Sequence, residues 1–308
     1  MRSIQIAVVT GPTGAIGYAL CARLLWAGLR VFAVCRPGSP RAESLRELVG
    51  AEIVFCDAAE YSRLPELLPS GADAFFHLAW SHTTGTGRND MDAQLKNVQT
   101  TLDACRAAGA LGCQIFIGAG SQAEYGRVGH ALTPDTPCFP DNGYGMAKLC
   151  AGQMSREECR KPGLAHVWPR ILSVYGPHDG PNSMITSTIR TLLDGKSPAL
   201  TKGEQLWDYL YADDAAEALY RMALCGCDGA IYPLGSGQAR PLREYVELLR
   251  DAIDPALPLA FGAVPYSSNQ VMHLEADIGA LRQDLDFEPA TPFETGIRKT
   301  IDWVKRHA

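Results

Sequence analysis

An apolar run, Ile6 to Thr10, leads without a break into Gly11-Pro12-Thr13-Gly14-Ala15-Ile16-Gly17, and a helical pattern continues from Ile16 to Ala27. Strand, glycine turn and helix in that order form a phosphate-binding element of the dinucleotide type. Gly11 permits the tight turn, Gly14 lets the backbone approach a pyrophosphate, and Gly17 allows the helix to lie close on the strand. The helix N-terminus offers unpaired N–H groups and the positive end of its dipole. Gly11, Thr13, Gly14, Ala15, Ile16 and Gly17 are therefore candidate cofactor contacts, although the spacing is G-x-x-G-x-x-G rather than G-x-G-x-x-G.

Beyond this unit, short apolar runs (Val31 to Cys35, Glu52 to Cys56, Ala74 to Leu78, Gln114 to Gly118) alternate with segments of helical spacing (Arg41 to Val49, Asp92 to Ala108). That alternation predicts an α/β fold with a doubly wound parallel sheet built from right-handed crossovers. After a further strand, Ala165 to Leu172, the loop Tyr175-Gly176-Pro177-His178-Asp179-Gly180-Pro181 marks a change of domain. The division expected is a dinucleotide-binding domain over residues 1–174, and a smaller α/β substrate lobe over 175–308 with some segments returning to the first domain.

The 308 residues, 46% of them hydrophobic, suffice for a full core. A formal net charge of −6 argues against a nucleic-acid partner. No apolar stretch reaches membrane-spanning length, and the N-terminus reads as a strand instead of a leader. The ten cysteines, among them Cys21, Cys35, Cys56, Cys105, Cys150 and Cys159, fall mostly in apolar patterns and read as reduced core thiols of a cytoplasmic protein. Cys225-Gly226-Cys227 lacks partners at ligand spacing, so no metal is expected.

Two positions bear on the cofactor's identity. The second strand ends Ala33-Val34-Cys35-Arg36, with no acid for the adenosine ribose, and Arg36 offers a forked donor to a 2′-phosphate. NADP is thus slightly preferred over NAD. Asp57, after the third strand, either bonds the adenine amino group or caps the following helix. Tyr144 and Lys148 stand four residues apart in Asp141-Asn142-Gly143-Tyr144-Gly145-Met146-Ala147-Lys148, which puts a phenol and an ammonium on one helix face. The charge favours the phenolate, making Tyr144 a candidate general acid/base.

Together with His77-Leu78-Ala79-Trp80, Asn97, Gly118-Ala119-Gly120-Ser121-Gln122-Ala123-Glu124-Tyr125-Gly126, Pro169 to Pro177 and Trp207-Asp208-Tyr209-Leu210-Tyr211-Ala212-Asp213-Asp214, these motifs resemble an extended short-chain dehydrogenase/reductase. The similarity is to the NAD-dependent epimerase/dehydratase family acting on nucleotide sugars, and it runs nearly end to end. The resemblance implies a Rossmann fold. It also implies that Ser121 bonds the reacting oxygen, Tyr144 moves its proton, and Lys148 holds the nicotinamide ribose and lowers the tyrosine pKa. Leu78 and Ala79 are assigned by it to the cofactor, and His82, Asn97, Glu124, Asn182 and Arg240 to the substrate side. A homodimer formed through the helices of Asp92 to Ala108 and Tyr144 is a further implication.

The family's sugar 4,6-dehydratases carry an Asp-Glu pair after the catalytic hydroxyl; here those positions are Gln122 and Ala123. Its epimerases retain their cofactor and usually show an acid on the second strand, where this chain has Arg36. Both departures favour net reduction of a nucleotide-linked 4-keto-6-deoxyhexose. C4 epimerisation is the alternative, and a dinucleotide-sensing module without turnover is a more distant one, which the intact Ser121, Tyr144 and Lys148 oppose.

Overall fold

The computed structural model describes residues 1–307. In chain order the cofactor-side elements are β1 (Ile6–Thr10), α1 (Ala15–Trp26), β2 (Arg30–Cys35), β3 (Ala51–Phe55), α2 (Leu64–Leu67), β4 (Ala74–His77) and α3 (Met91–Leu111). They continue as β5 (Ile115–Gly118), β6 (Gly120–Ser121), α4 (Gly143–Arg160), β7 (Ala165–Ile171) and β8 (Ser173–Tyr175). Then follow α5 (Met184–Leu193), β9 (Ala199–Leu200), β10 (Leu206–Tyr211), α6 (Ala212–Cys225), β11 (Ile231–Leu234), β12 (Ala239–Pro241) and α7 (Leu242–Ile253). The chain closes with β13 (Ala260–Phe261), β14 (His273–Leu274), α8 (Gly279–Leu285) and α9 (Phe293–Arg306).

The main sheet runs β11-β7-β5-β4-β1-β2-β3, with β6 also on β7, and every pairing in it is parallel. Its strands alternate between two cores, as the two-residue period of a strand buried on both faces requires. Ala7 and Val9 of β1, Val31 and Ala33 of β2, Phe76 of β4 and Ile117 of β5 point into the core shared with α1, α6 and α8. Val8, Phe32, Val34, Phe75 and Phe116 point into the opposite core, against α2, α3 and Cys159 of α4. This is the doubly wound fold expected from the sequence. Chain order reverses between β1 and β4, which opens a crevice at their carboxyl ends.

A second, four-stranded sheet, β12-β10-β14 with β8 on β10, belongs to the lobe formed by α5, α7 and α9 around Tyr175, Ile189, Tyr211, Leu249 and Ile301. Two segments of the late sequence return to the main sheet: β11 pairs with β7, and α6 packs on α1. The Gly-Pro loop between the lobes is pinned to the first domain, where the His178 ring stacks on Tyr18 of α1 at 3.6 Å.

Two expectations change. The helix predicted over Arg41 to Val49 is a short 3-10 turn, Ala42–Glu47, because Pro40 and Gly50 leave too little chain for a regular helix. Cys150, predicted in the core, is exposed on the outer face of α4. The other five cysteines named with it are buried, and all ten are free thiols.

Candidate active site

The glycine turn lies in the crevice at the carboxyl end of β1. Gly11 has φ +71°, a left-handed conformation natural to glycine, and a Cβ there would stand 2.7 Å from the backbone nitrogen of Ala79. A Cβ at Gly17 would stand 2.1 Å from the Gly11 carbonyl oxygen. These two glycines thus bring α1, the turn and the Leu78-Ala79 backbone after β4 into contact. At Gly14 an added Cβ would meet only the Gly11 carbonyl, at 4.0 Å, so the space over the helix end is open. No side chain caps α1, and its first turn contains no acid. Unspent N–H groups, open space and no repelling carboxylate fit a pyrophosphate.

Arg36 is exposed directly after β2, and Asp57 is exposed after β3. Of the two readings for Asp57, the capping one accounts for its visible bond: Oδ1 accepts from the Ala59 amide at 3.0 Å.

The catalytic candidates converge from the end of one strand, β6, and from one helix, α4. Ser121 ends β6; its hydroxyl accepts from the Ala123 amide at 3.2 Å, and its own amide donates to Glu124 Oε1 at 2.8 Å, a reciprocal capping box that fixes the turn. The first turn of α4 presses on this one, since a Cβ at Gly145 would be 2.3 Å from the Ala123 carbonyl oxygen. That approach sets Tyr144 beside Ser121. Lys148, one turn later and 3% exposed, donates to the Ala119 carbonyl at 2.6 Å, and its Nζ lies 3.7 Å from the centre of the Trp80 ring.

Burial holds the Tyr144 phenol above its ordinary value. The Glu124 carboxylate adds to that, while hydrogen bonding with Ser121 and the charge of Arg88 oppose it. Burial also lowers Lys148 to about 7, against the pull of Glu124. The sequence assigned the lowering of the phenol to Lys148, but in the protein alone its ammonium stands 5.8 Å from the Tyr144 ring centre, covered by Trp80 and depressed itself. A second cation stands beside the phenol, Arg88, whose Cζ lies 4.6 Å from the ring centre and whose charge favours the phenolate. Neither Arg88 nor the contact of Trp80 is visible in the sequence; the loop from Thr83 to Asp90 has no pattern tying it to α4.

The residues expected on the substrate side divide. Glu124 is fully buried, its Oε2 in an ion pair with Arg170 at 2.8 Å and both oxygens bonded by Trp168, so it supports the site from behind instead of facing a ligand. Asn97 is also buried; its carboxamide accepts from the Ser81 amide and hydroxyl and donates to the Ser81 carbonyl, holding the segment after β4. The expectation of substrate contact gives way at both positions, because their polar atoms are already paired. His82 is exposed with φ +57° next to the same segment. Asn182 is exposed on the turn before α5, and Arg240 on β12 is half-buried against Glu294 at 3.1 Å.

A glycine-turn crevice at the sheet's reversal point, with a serine at the end of β6 and a tyrosine and a lysine on the adjoining helix α4, defines a short-chain dehydrogenase/reductase of the extended type. The profile of the NAD dependent epimerase/dehydratase family matches residues 7–235, and the chain belongs to that family. Its relatives include the dTDP-glucose 4,6-dehydratase of Neisseria meningitidis serogroup B, 26% identical over 98% of this chain and 93% of that protein. The dTDP-glucose 4,6-dehydratase of Salmonella typhimurium is 29% identical over 56% of this chain, a match spanning only half (50%) of the relative. Among solved structures, the UDP-N-acetylglucosamine 4-epimerase of Methanobrevibacter ruminantium M1 in complex with UDP-N-acetylmuramic acid superposes with a TM-score of 0.90 over 100% of both chains, at 23% identity, and so shares the fold.

Proposed function

We propose that this chain is an NAD(P)-dependent oxidoreductase that reduces a nucleotide-linked 4-keto-6-deoxyhexose. The observation that carries the reading is the convergence of Ser121, Tyr144 and Lys148 beside a phosphate-binding turn, with no acid pair behind Ser121. When bound, a nicotinamide dinucleotide supplies the hydride. Gly11 to Gly17 would hold its pyrophosphate, Arg36 a 2′-phosphate, and Leu78, Ala79 and Lys148 its nicotinamide half. Ser121 accepts or donates a hydrogen bond at the sugar oxygen and orients it, while Tyr144 gives that oxygen its proton, so that negative charge does not build up there. Asn182 and Arg240 are the polar groups left to meet the nucleotide and its diphosphate.

The 4,6-dehydratase activity of the curated relatives does not suit these residues. Removing water across two sugar carbons needs an acid and a base next to the hydroxyl group. This chain offers Gln122 and a buried Ala123, and the one carboxylate nearby, on Glu124, is tied to Arg170. C4 epimerisation uses the same Ser121, Tyr144 and Lys148, and the family name covers it. Arg36 in place of a ribose-binding acid favours reduction.

The test is consumption of NADPH by purified protein offered dTDP- and CDP-linked 4-keto-6-deoxyglucose. Oxidation with formation of the 4-hydroxy sugar supports the reading. Interconversion of C4 epimers without net NADPH consumption would replace it with epimerisation.

A further inference from the structure

We propose that Arg88 is a positioning residue of the reaction: its guanidinium, seated over the Tyr144 ring, favours the phenolate electrostatically and does so without help from a bound cofactor. The inference rests on Tyr144 being the acid/base.

Four observations place Arg88 there by construction. Its turn, Gly85–Asn89, ends at Asp90, which caps α3 through the Ala93 amide at 3.0 Å. The next residue of that turn, Asn89, accepts from the Gly143 amide at 2.9 Å, tying the loop to the first residue of α4 and hence to Tyr144. Gln94 clamps the loop from within: its Nε2 donates to the carbonyls of His82 at 3.0 Å and Gly87 at 3.1 Å, while its Oε1 accepts from the Trp80 indole at 2.9 Å. A Cβ on Gly143 would lie 3.0 Å from the Arg88 carbonyl oxygen, so backbone meets backbone at this junction.

The guanidinium is half-buried, and the ion pairs of the described residues do not include it. Its charge is therefore not cancelled by a neighbouring carboxylate before it reaches the phenol. The charged and titratable groups that face Tyr144 come from four elements: Arg88 from the loop, Ser121 from the end of β6, Glu124 from the turn after it, and Lys148 from α4 itself. Ser121 and Arg88 favour ionisation and Glu124 opposes it. Lys148 is held back by the indole of Trp80, which stands edge-on to Tyr144 at 6.1 Å, and by its bond to Ala119. An opposite charge at this range shifts a titration by roughly one unit or more.

The experiment follows the phenol itself. Protein labelled with 3-fluorotyrosine, which ionises at lower pH than tyrosine, is titrated by fluorine NMR without cofactor, with the Tyr144 resonance assigned by its loss in Tyr144→Phe. In Arg88→Met the phenol is expected to titrate about one pH unit higher than in the wild type, and in Arg88→Lys to stay within about 0.3 of it. Lys148→Met should move it less than Arg88→Met does. Coincident wild-type and Arg88→Met titrations overturn the proposal, and so do equal shifts in Arg88→Met and Arg88→Lys, which would assign the effect to packing. Turnover surviving in Tyr144→Phe is a separate result: it removes the acid/base reading, whatever the titrations show.

Discussion

Tyr144 carries the account at the scale of single residues. Replacing it by Phe deletes one hydroxyl and keeps the ring that packs against Trp80 and Arg88, so the fold and the cofactor crevice should be untouched. Turnover should fall by at least about a thousandfold, within the range that positioned proton transfer contributes, while the dissociation constant for cofactor, read by fluorescence titration, should change less than about twofold. The phenol and ammonium were legible from spacing alone, and so was the glycine turn, because both are local patterns. Arg88 was not, since its loop is brought over α4 by tertiary contacts such as the bond from the Gly143 amide to Asn89. Glu124 misled for the opposite reason. The family resemblance assigns its motif to ligand contact, but its partner Arg170 is 46 residues away on a neighbouring strand, and no local signal reveals that pairing.

Among the elements, α3 and α4 pack on one another and still present large apolar side chains outward. Leu95 is 68% exposed and Met91 58%, and Met146 and Met154 are half-exposed on α4 with exposed Cys150 between them at the same spacing. One stripe of a helix satisfies the core of its own chain; a second stripe calls for a partner. Pairing of two copies through these helices is the expected arrangement. Leu95→Glu combined with Met154→Glu should convert the dimer to monomer, read as a halving of mass by light scattering; an unchanged mass, or a wild-type monomer, would contradict it. Strands β1, β2, β4, β5 and β7 of the main sheet were readable to within a residue or two because each is a buried run bounded by turn residues, and β3 was placed within one residue although it is only partly covered, whereas β6 and β11 were not read. The second lobe was not. Its β9, β12, β13 and β14 have only two or three residues each, too few to show a period, and their pairings join distant parts of the chain.

Taken as a whole, the molecule buries three histidines that the fold keeps neutral. Burial depresses His77 to about 3 and both His166 and His178 to about 4, from an ordinary 6.5. His77 lies between the hydroxyls of Thr10 and Thr101, and His166 bonds Ser155, so each is satisfied without a charge. The unfolded chain takes up protons at these sites below about pH 6.5, and the folded one does not until about 4 at His166 and His178 and about 3 at His77. Stability is therefore fully present above 6.5 and falls as the pH drops toward 4. Urea midpoints at pH 7.0, 6.0 and 5.0 should decline in that order, and His166→Gln should decline less steeply than the wild type. Equal slopes would show that His166 does not carry its share.

The proposed reaction is net reduction by an exchangeable, 2′-phosphorylated cofactor at the crevice between β1 and β4. The direct measurement is the affinity of purified protein for NADPH and NADH by fluorescence titration, made after the protein has been checked for cofactor retained through purification. An empty starting site is expected, with NADPH bound at least about tenfold more tightly than NADH and the preference lost in Arg36→Ala, since a forked guanidinium on a phosphate is a charge-assisted pair. Resident NAD, or a preference for NADH, would contradict it and move the reaction to epimerisation.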